Sequence, residues 1–148
     1  MKGTNDHACP HCRKAHAFVV APPTCLVHSR DPGNGNGALH YVCKASGKGD
    51  DATATALLEL LLDNGADPNL RGQYGRTPLI YLSMETSPSV RMAKLLVDRG
   101  ARPLHVDSFG QTALGAAADS DSPEALELVE FFALWLSAKE DEELVGLR

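Results

Sequence analysis

Two pairs of metal-binding residue types stand near the N-terminus. Two residues separate Cys9 from Cys12, and after twelve intervening residues Cys25 and His28 repeat that gap. The pattern C-x2-C-x12-C-x2-H supplies three thiolates and an imidazole, the donors tetrahedral Zn²⁺ prefers, and a two-residue gap lets both members of a pair face one ion. Four protein ligands leave no open coordination position, so the expected cofactor is a structural Zn²⁺ and not a catalytic one. His7, His11 and His16 are read as surface positions, each available as a substitute ligand. Two other readings stay open: a Cys/His cluster without metal, and disulfides, for which four cysteines allow three pairings. The apolar run at 17–21 is too short for a signal-peptide core and lies behind the first pair. A reducing, cytoplasmic or nuclear setting is expected, and there metal binding precedes disulfide formation.

The run from Cys9 through Lys14, CPHCRK, resembles the zinc knuckle of zinc ribbons, where backbone N–H groups after the first cysteine hydrogen-bond its sulfur. Residues 17–20 read as a short strand, and Pro22-Pro23 as the turn leading to the second pair. Cys43 stands apart from this group.

The elements that position these residues are set by an internal repeat. GRTPLIYLS at 75–83 matches GQTALGAAA at 110–118, 35 residues later, and a degenerate GNGALHYVC at 35–43 precedes it by 40. A second landmark keeps step: LLLDNGADPN at 60–69 aligns with LLVDRGARPL at 95–104. This pattern resembles the ankyrin repeat, with its D-x-x-G-x-T-P-L-H opening and its G-A-D-x-N finger, over about residues 32–138. The residue chemistry agrees with it. Thr77 is suited to cap a helix and Pro78 to open it, while Gly65 and Gly100 fit left-handed C-caps. Apolar residues recur at helical spacing in 90–97 and 126–133. The expected helices cover 38–45, 54–63, 77–84, 88–98, 112–119 and 123–138, the second helices of the second and third repeats opening at Ser87-Pro88 and Ser122-Pro123. The fold class is therefore all-α: an ankyrin-repeat solenoid over 32–148, with repeats at about 32–71, 72–106 and 107–138, an acidic C-terminal cap, and a small zinc-binding module at 1–31.

Departures from the repeat pattern carry expectations of their own. Cys43 falls in a small-residue slot and reads as packing, and His40 holds the family's His position, where it would hydrogen-bond neighbouring loops. Ile80 and Gly115 replace that His in the other copies. Arg102 and Leu104 replace the acid and Asn of the second finger, so the loop network should be thinner there.

Composition narrows the function. Of 148 residues, 43% are apolar and 22% charged, so the chain has the makings of a core, while only 5% are aromatic, which argues against a base-stacking platform. Net charge is −5, and residues 119–148 carry nine acids against Lys139 and Arg148. Such a body disfavours phosphate binding, which rests on Lys and Arg. No apolar run is long enough to span a membrane. Nucleotide-loop and hydrolase motifs are absent, and the loop at 46–49 lacks the spacing of a phosphate cradle. No enzyme is expected.

The resemblance implies a protein partner held in the ankyrin groove, by a chain expected to be monomeric. Groove positions in the second repeat are Gln73, Tyr74, Arg76, Met84 and Glu85. In the third they are Ser108, Phe109, Gln111, Asp119 and Ser120. Tyr74 and Arg76 are read as free of the core, so alanine there should spare stability, although Tyr74 and Phe109 also read as residues that only pack finger on finger. A pathogen- or phage-encoded inhibitor of a host factor is one form of this function. The alternative is a zinc-dependent nucleic-acid-binding regulator using Arg13, Lys14 and Arg30. Metal analysis tests the zinc site: the purified, reduced protein should carry about one zinc per chain. Cys12→Ser should release it and loosen the first repeat, because metal-binding free energy becomes folding free energy.

Overall fold

The computed structural model describes Val27 and residues 29–46 and 48–146, with the backbone alone from residue 140 onward. The four expected metal ligands, Cys9, Cys12, Cys25 and His28, lie outside the described residues, as do Arg13 and Lys14.

Among the described residues six α-helices form three layers of two: α1 (Ala38–Ala45) with α2 (Asp51–Asp63), α3 (Pro78–Ser83) with α4 (Val90–Asp98), and α5 (Ala113–Ala118) with α6 (Pro123–Gly146). First helices stack α1 on α3 on α5, and second helices stack α2 on α4 on α6. Among the described residues there is no named strand, only an isolated bridge between Arg30 and Gly37. The core runs through all three layers, from Leu39, Cys43 and Leu58 through Leu79, Leu82, Met92 and Leu96 to Leu128 and Phe132. Each layer therefore hides its apolar faces mainly on its neighbour, as a quasi-one-dimensional array does.

Local chemistry fixes the helix ends. The Thr77 hydroxyl accepts from the Ile80 N–H and Pro78 opens α3, as the sequence predicts. Thr112 caps α5 on Gly115 in the same way. Gly65 and Gly100 follow α2 and α4 at φ 91° and 99°. Around the second, the Ala101 N–H reaches the Leu96 carbonyl at 2.9 Å and the Gly100 N–H the Val97 carbonyl at 3.0 Å, the paired closure of a Schellman end.

Three boundaries differ from the expected ones by two residues or more. Helix α2 starts at Asp51 and not at 54, because the Asp50 carboxylate accepts from the N–H groups of Ala52 and Thr53. Helix α4 starts at Val90 because Ser89, not Ser87, caps it, its hydroxyl accepting from the Met92 N–H. Helix α6 continues to Gly146, past the expected stop at 138, because no glycine or proline interrupts 124–145. A finger follows α2 and α4, but α6 simply runs on.

Gly72 and Gly100 separate two costs of a methyl group. At Gly100 a Cβ meets open space, so Gly100→Ala should lose only the backbone term of a left-handed residue, roughly 1–2 kcal/mol. At Gly72 a Cβ would lie 2.1 Å from Asn36 Oδ1, which holds the Gln73 N–H at 2.8 Å. Gly72→Ala should therefore cost clearly more than Gly100→Ala, read as the difference in urea midpoints.

Candidate functional site

The turns ahead of α3 and α5 build one surface. Gln73–Gly75 form a single 3-10 turn in which Tyr74 takes a left-handed backbone, φ 59°, unusual for a non-glycine. Its carbonyl accepts the Ser108 N–H at 2.9 Å, which couples this turn to the next. Tyr74 and Phe109 then bring their rings together at 5.5 Å with a 50° tilt. The Arg76 guanidinium carbon lies 5.2 Å from the Tyr74 ring centre, 5.6 Å from Phe109 and 6.0 Å from Tyr81. Arg76 Nε also meets Asp107 Oδ2 at 3.3 Å, with the aspartate side chain fully buried.

Asp107 organises its turn. Its Oδ1 accepts the N–H groups of Phe109 and Gln111, each at 2.9 Å. Burial alone would raise its pKa, but these two donors and the Arg76 guanidinium together hold it below the ordinary carboxylate range. In the first repeat Asp31 does similar work, accepting from the Gly33 N–H at 2.8 Å and from the Tyr41 hydroxyl.

Two large aromatic surfaces stay open even so. Tyr74 is 50% exposed and Phe109 68% exposed. Packing finger on finger therefore covers only part of each ring. The other expected groove residues spread to either side. Gln73 is exposed, and its backbone N–H is held by Asn36. Gln111 Nε2 donates to Asp119 Oδ2 at 2.7 Å, and Ser120 Oγ lies 3.4 Å from Ser122 Oγ. Met84 is exposed at the end of α3. Glu85 follows it and has a raised pKa from partial burial, which Lys48 and Lys44 oppose. Glu85 thus faces the side of the surface where Lys44 and Lys48 lie.

Three helix–turn–helix layers with this turn geometry are matched by the family model described as ankyrin repeats (3 copies), over residues 39–133. The chain belongs to the ankyrin-repeat family. It is 39% identical over 98 residues to the ADP-ribosylation factor GTPase-activating protein AGD4 of Arabidopsis thaliana, covering 66% of this chain and 11% of that one. An ankyrin repeat-containing protein of Treponema pallidum is 37% identical over 91 residues, covering 54% of this chain and 30% of the relative. The ankyrin repeat and LEM domain-containing protein 1 homolog of Caenorhabditis elegans is 37% identical over 79 residues, covering 53% and 10%. The chain thus spans between a tenth and a third of the length of these relatives, and the likeness is to their ankyrin part.

Inside the ankyrin frame, His40 does what its position implies. Its Nδ1 accepts the Gly37 N–H at 3.0 Å, so Nε2 carries the proton and donates to the Arg76 carbonyl at 3.0 Å. Both ring nitrogens are occupied, which leaves no metal-binding lone pair. Cys43 is fully buried, with a thiol pKa pushed up by burial, as packing demands. Among the described residues no cluster of three His, Cys, Asp or Glu side chains suits a metal ion. Sequence reasoning missed Asn36 and Asp107. The second stands at the opening Asp of the ankyrin consensus, so its signal was available; Asn36 occupies a degenerate copy and had none.

One expectation is corrected. Arg76 is not free of structural duties, because it neutralises a buried carboxylate, so Arg76→Ala should lower stability as well as change the surface. Removing one partner of a buried charged hydrogen bond costs about 1–3 kcal/mol or more.

The acid limb follows from His40. Burial is the main cause of its lowered pKa, so the folded state binds its proton less readily than the unfolded chain does. Stability from this group is complete above the unfolded value near 6.5, and it falls as pH drops through 6.5 toward the lower folded value. Asp107, also lowered, loses its share only below the ordinary carboxylate range. The melting temperature should therefore fall between pH 7 and 5, and His40→Gln, less stable at pH 7, should show a shallower fall across that interval.

Proposed function

We propose that this chain recognises a protein partner with the groove surface around Tyr74, Arg76 and Phe109. The ankyrin family is generally one of protein–protein interaction modules, which gives the class. The observation that carries the site is the exposure of two large aromatic rings on a backbone locked by the Tyr74–Ser108 bond and the Asp107 turn. Rigid aromatic and arginine side chains are the types that dominate binding energy at interfaces, because they bring large contact area at little loss of rotamer freedom. Recognition, and not catalysis, is the activity assigned. No described helix is long and apolar enough to cross a membrane. An N-terminal structural zinc, held by Cys9, Cys12, Cys25 and His28, is proposed as a cap on the first repeat. The finer role of blocking a host factor for a pathogen or phage goes with the same surface.

Partner capture followed by titration tests the groove. Phe109 is the cleaner probe because its ring is more open than that of Tyr74 and carries no hydrogen bond. Phe109→Ala should weaken the captured partner by about 1–4 kcal/mol while the melting temperature stays nearly unchanged. Full affinity in this variant would move the interface elsewhere.

A further inference from the structure

The first layer has an open side where the second is closed. Seams close wherever two layers meet: Asn69 of the first finger donates from Nδ2 to the Gly100 carbonyl and accepts the Arg102 N–H on Oδ1, both at 2.9 Å. In the second layer Tyr81, Met92 and Leu96 are 7%, 0% and 0% exposed. By the repeat register their equivalents in the first layer are Tyr41, Leu57 and Leu61. Tyr41 is 43% exposed, Leu57 is 45% exposed, and Leu61 is only half-buried. Leu58 and Leu62, by contrast, are buried like their equivalents Ala93 and Val97. Positions that are closed in the second layer and open in the first face the side on which only the second has a described neighbour. Tyr81 shows that direction, since it meets His40 and Asn36 of the layer before it. Tyr41, Leu57 and Leu61 therefore make an apolar face ahead of the first layer, and covering it is favourable.

The chain supplies a cover in register. One backbone bond marks the same turn in each repeat, from the Asp31 N–H to the Asn36 carbonyl, from Gly72 to Arg76, and from Asp107 to Gln111. Ten residues before Gly72 stands Leu62, and ten before Asp107 stands Val97, each near the end of a second helix. Ten before Asp31 stands Ala21, which closes the apolar run Ala17-Phe18-Val19-Val20-Ala21. HAFVVA at 16–21 thus aligns with LLELLL at 57–62 and MAKLLV at 92–97. Ala17 and Ala21 match Leu58 and Leu62, and Ala93 and Val97, the positions buried in both layers because another layer follows each. Reach is sufficient. Val27 is buried in the core, and Ala21 stands six residues before it. Such a stretch spans up to about 20 Å, the length of α2. A segment joined this closely meets the face at an effective concentration on the order of millimolar, which favours it over a separate molecule.

We infer that residues 16–21 of this chain pack over Tyr41, Leu57 and Leu61, in the place of the second helix of a preceding layer. The inference deepens the reading of an N-terminal cap and rests on that part of it, but not on the metal. It is independent of the Tyr74–Phe109 groove.

Hydrogen exchange of the full chain, followed by mass spectrometry, reads the contact from both sides. Residues 16–21 should exchange about tenfold more slowly than a synthetic peptide of the same sequence. Leu57→Asp should abolish most of that protection. Leu134→Asp, at another exposed leucine on α6, should leave it unchanged. Val20→Asp combined with Ala21→Asp should in turn speed exchange in 54–61 and lower the urea midpoint. A retained circular dichroism spectrum shows that each variant is folded, and if Leu57→Asp is not, the paired N-terminal variant decides alone. Fast exchange of 16–21 in the intact protein would overturn the inference and leave the face to a separate partner. Protection that survives Leu57→Asp in a folded protein would also overturn it. So would protection that grows with protein concentration alongside dimers in sedimentation, which would give the face to a second copy. Protection in protein that metal analysis finds free of zinc supports the contact and ends the zinc reading. One zinc per chain with 16–21 unprotected does the reverse.

Discussion

The seam between the first and second layers rests on side chains that grip backbone. Asn36 and His40, both almost fully buried, reach across to the Gln73 N–H and the Arg76 carbonyl. A backbone group buried without a partner costs as much as a lost hydrogen bond, so this seam can close only when both side chains find their targets. Gly72 is the geometric condition for it, since any side chain there would displace Asn36. The Tyr81 ring completes the seam, edge-on to His40 at 5.5 Å and with its hydroxyl 3.4 Å from Asn36 Nδ2. Position of the second turn, and so of Tyr74 and Arg76, is inherited from the first layer.

The second seam solves the same problem with different chemistry. Ile80 replaces the histidine and is buried as plain apolar filling. What joins the turns is the Tyr74–Ser108 backbone bond and the Arg76–Asp107 pair, with the aromatic rings stacked outside. An arginine placed among three rings and a buried carboxylate keeps its own planar orientation and holds theirs. The groove surface is thus a by-product of how layers two and three are joined. Its rigidity and its role as a seam have the same cause, which is why alanine at Arg76 cannot report on binding alone.

Much of this was legible in the sequence because ankyrin units carry their punctuation in fixed places. Thr77-Pro78 and Gly100 name a helix start and a helix end by mechanism, and α1 is found where the repeat register puts it, at 38–45. The misplaced boundaries fall where two candidate signals compete or where no stop signal stands. Ser87 and Ser89 flank Pro88, and it is the Ser89 hydroxyl that accepts a helix N–H, that of Met92. Residues 137–145 lack a stop signal altogether, and strong helix formers carried α6 beyond the end of its repeat. Tertiary partners were harder still. Arg76 reads as a groove residue from its register, yet its carboxylate partner lies 31 residues away across the layer boundary.

Where the array stops, the same positions change meaning. Cys43 and Ser83 are wholly buried because another layer stacks on them, whereas Ala118, the same position of the third repeat, is exposed. Leu104 differs from Asn69 for the same reason: among the described residues no further finger follows whose backbone an amide there could bridge. An unbroken α6 supplies Trp135 and Lys139 to that vacated place, and its exposed acids, Glu124, Glu127 and Glu130, keep the outer side wet. The end of a repeat array must either be polar or be covered. Here the outer side of α6 mixes its acids with the exposed Leu126 and Leu134, and the finger side exposes Leu104 beside Arg102.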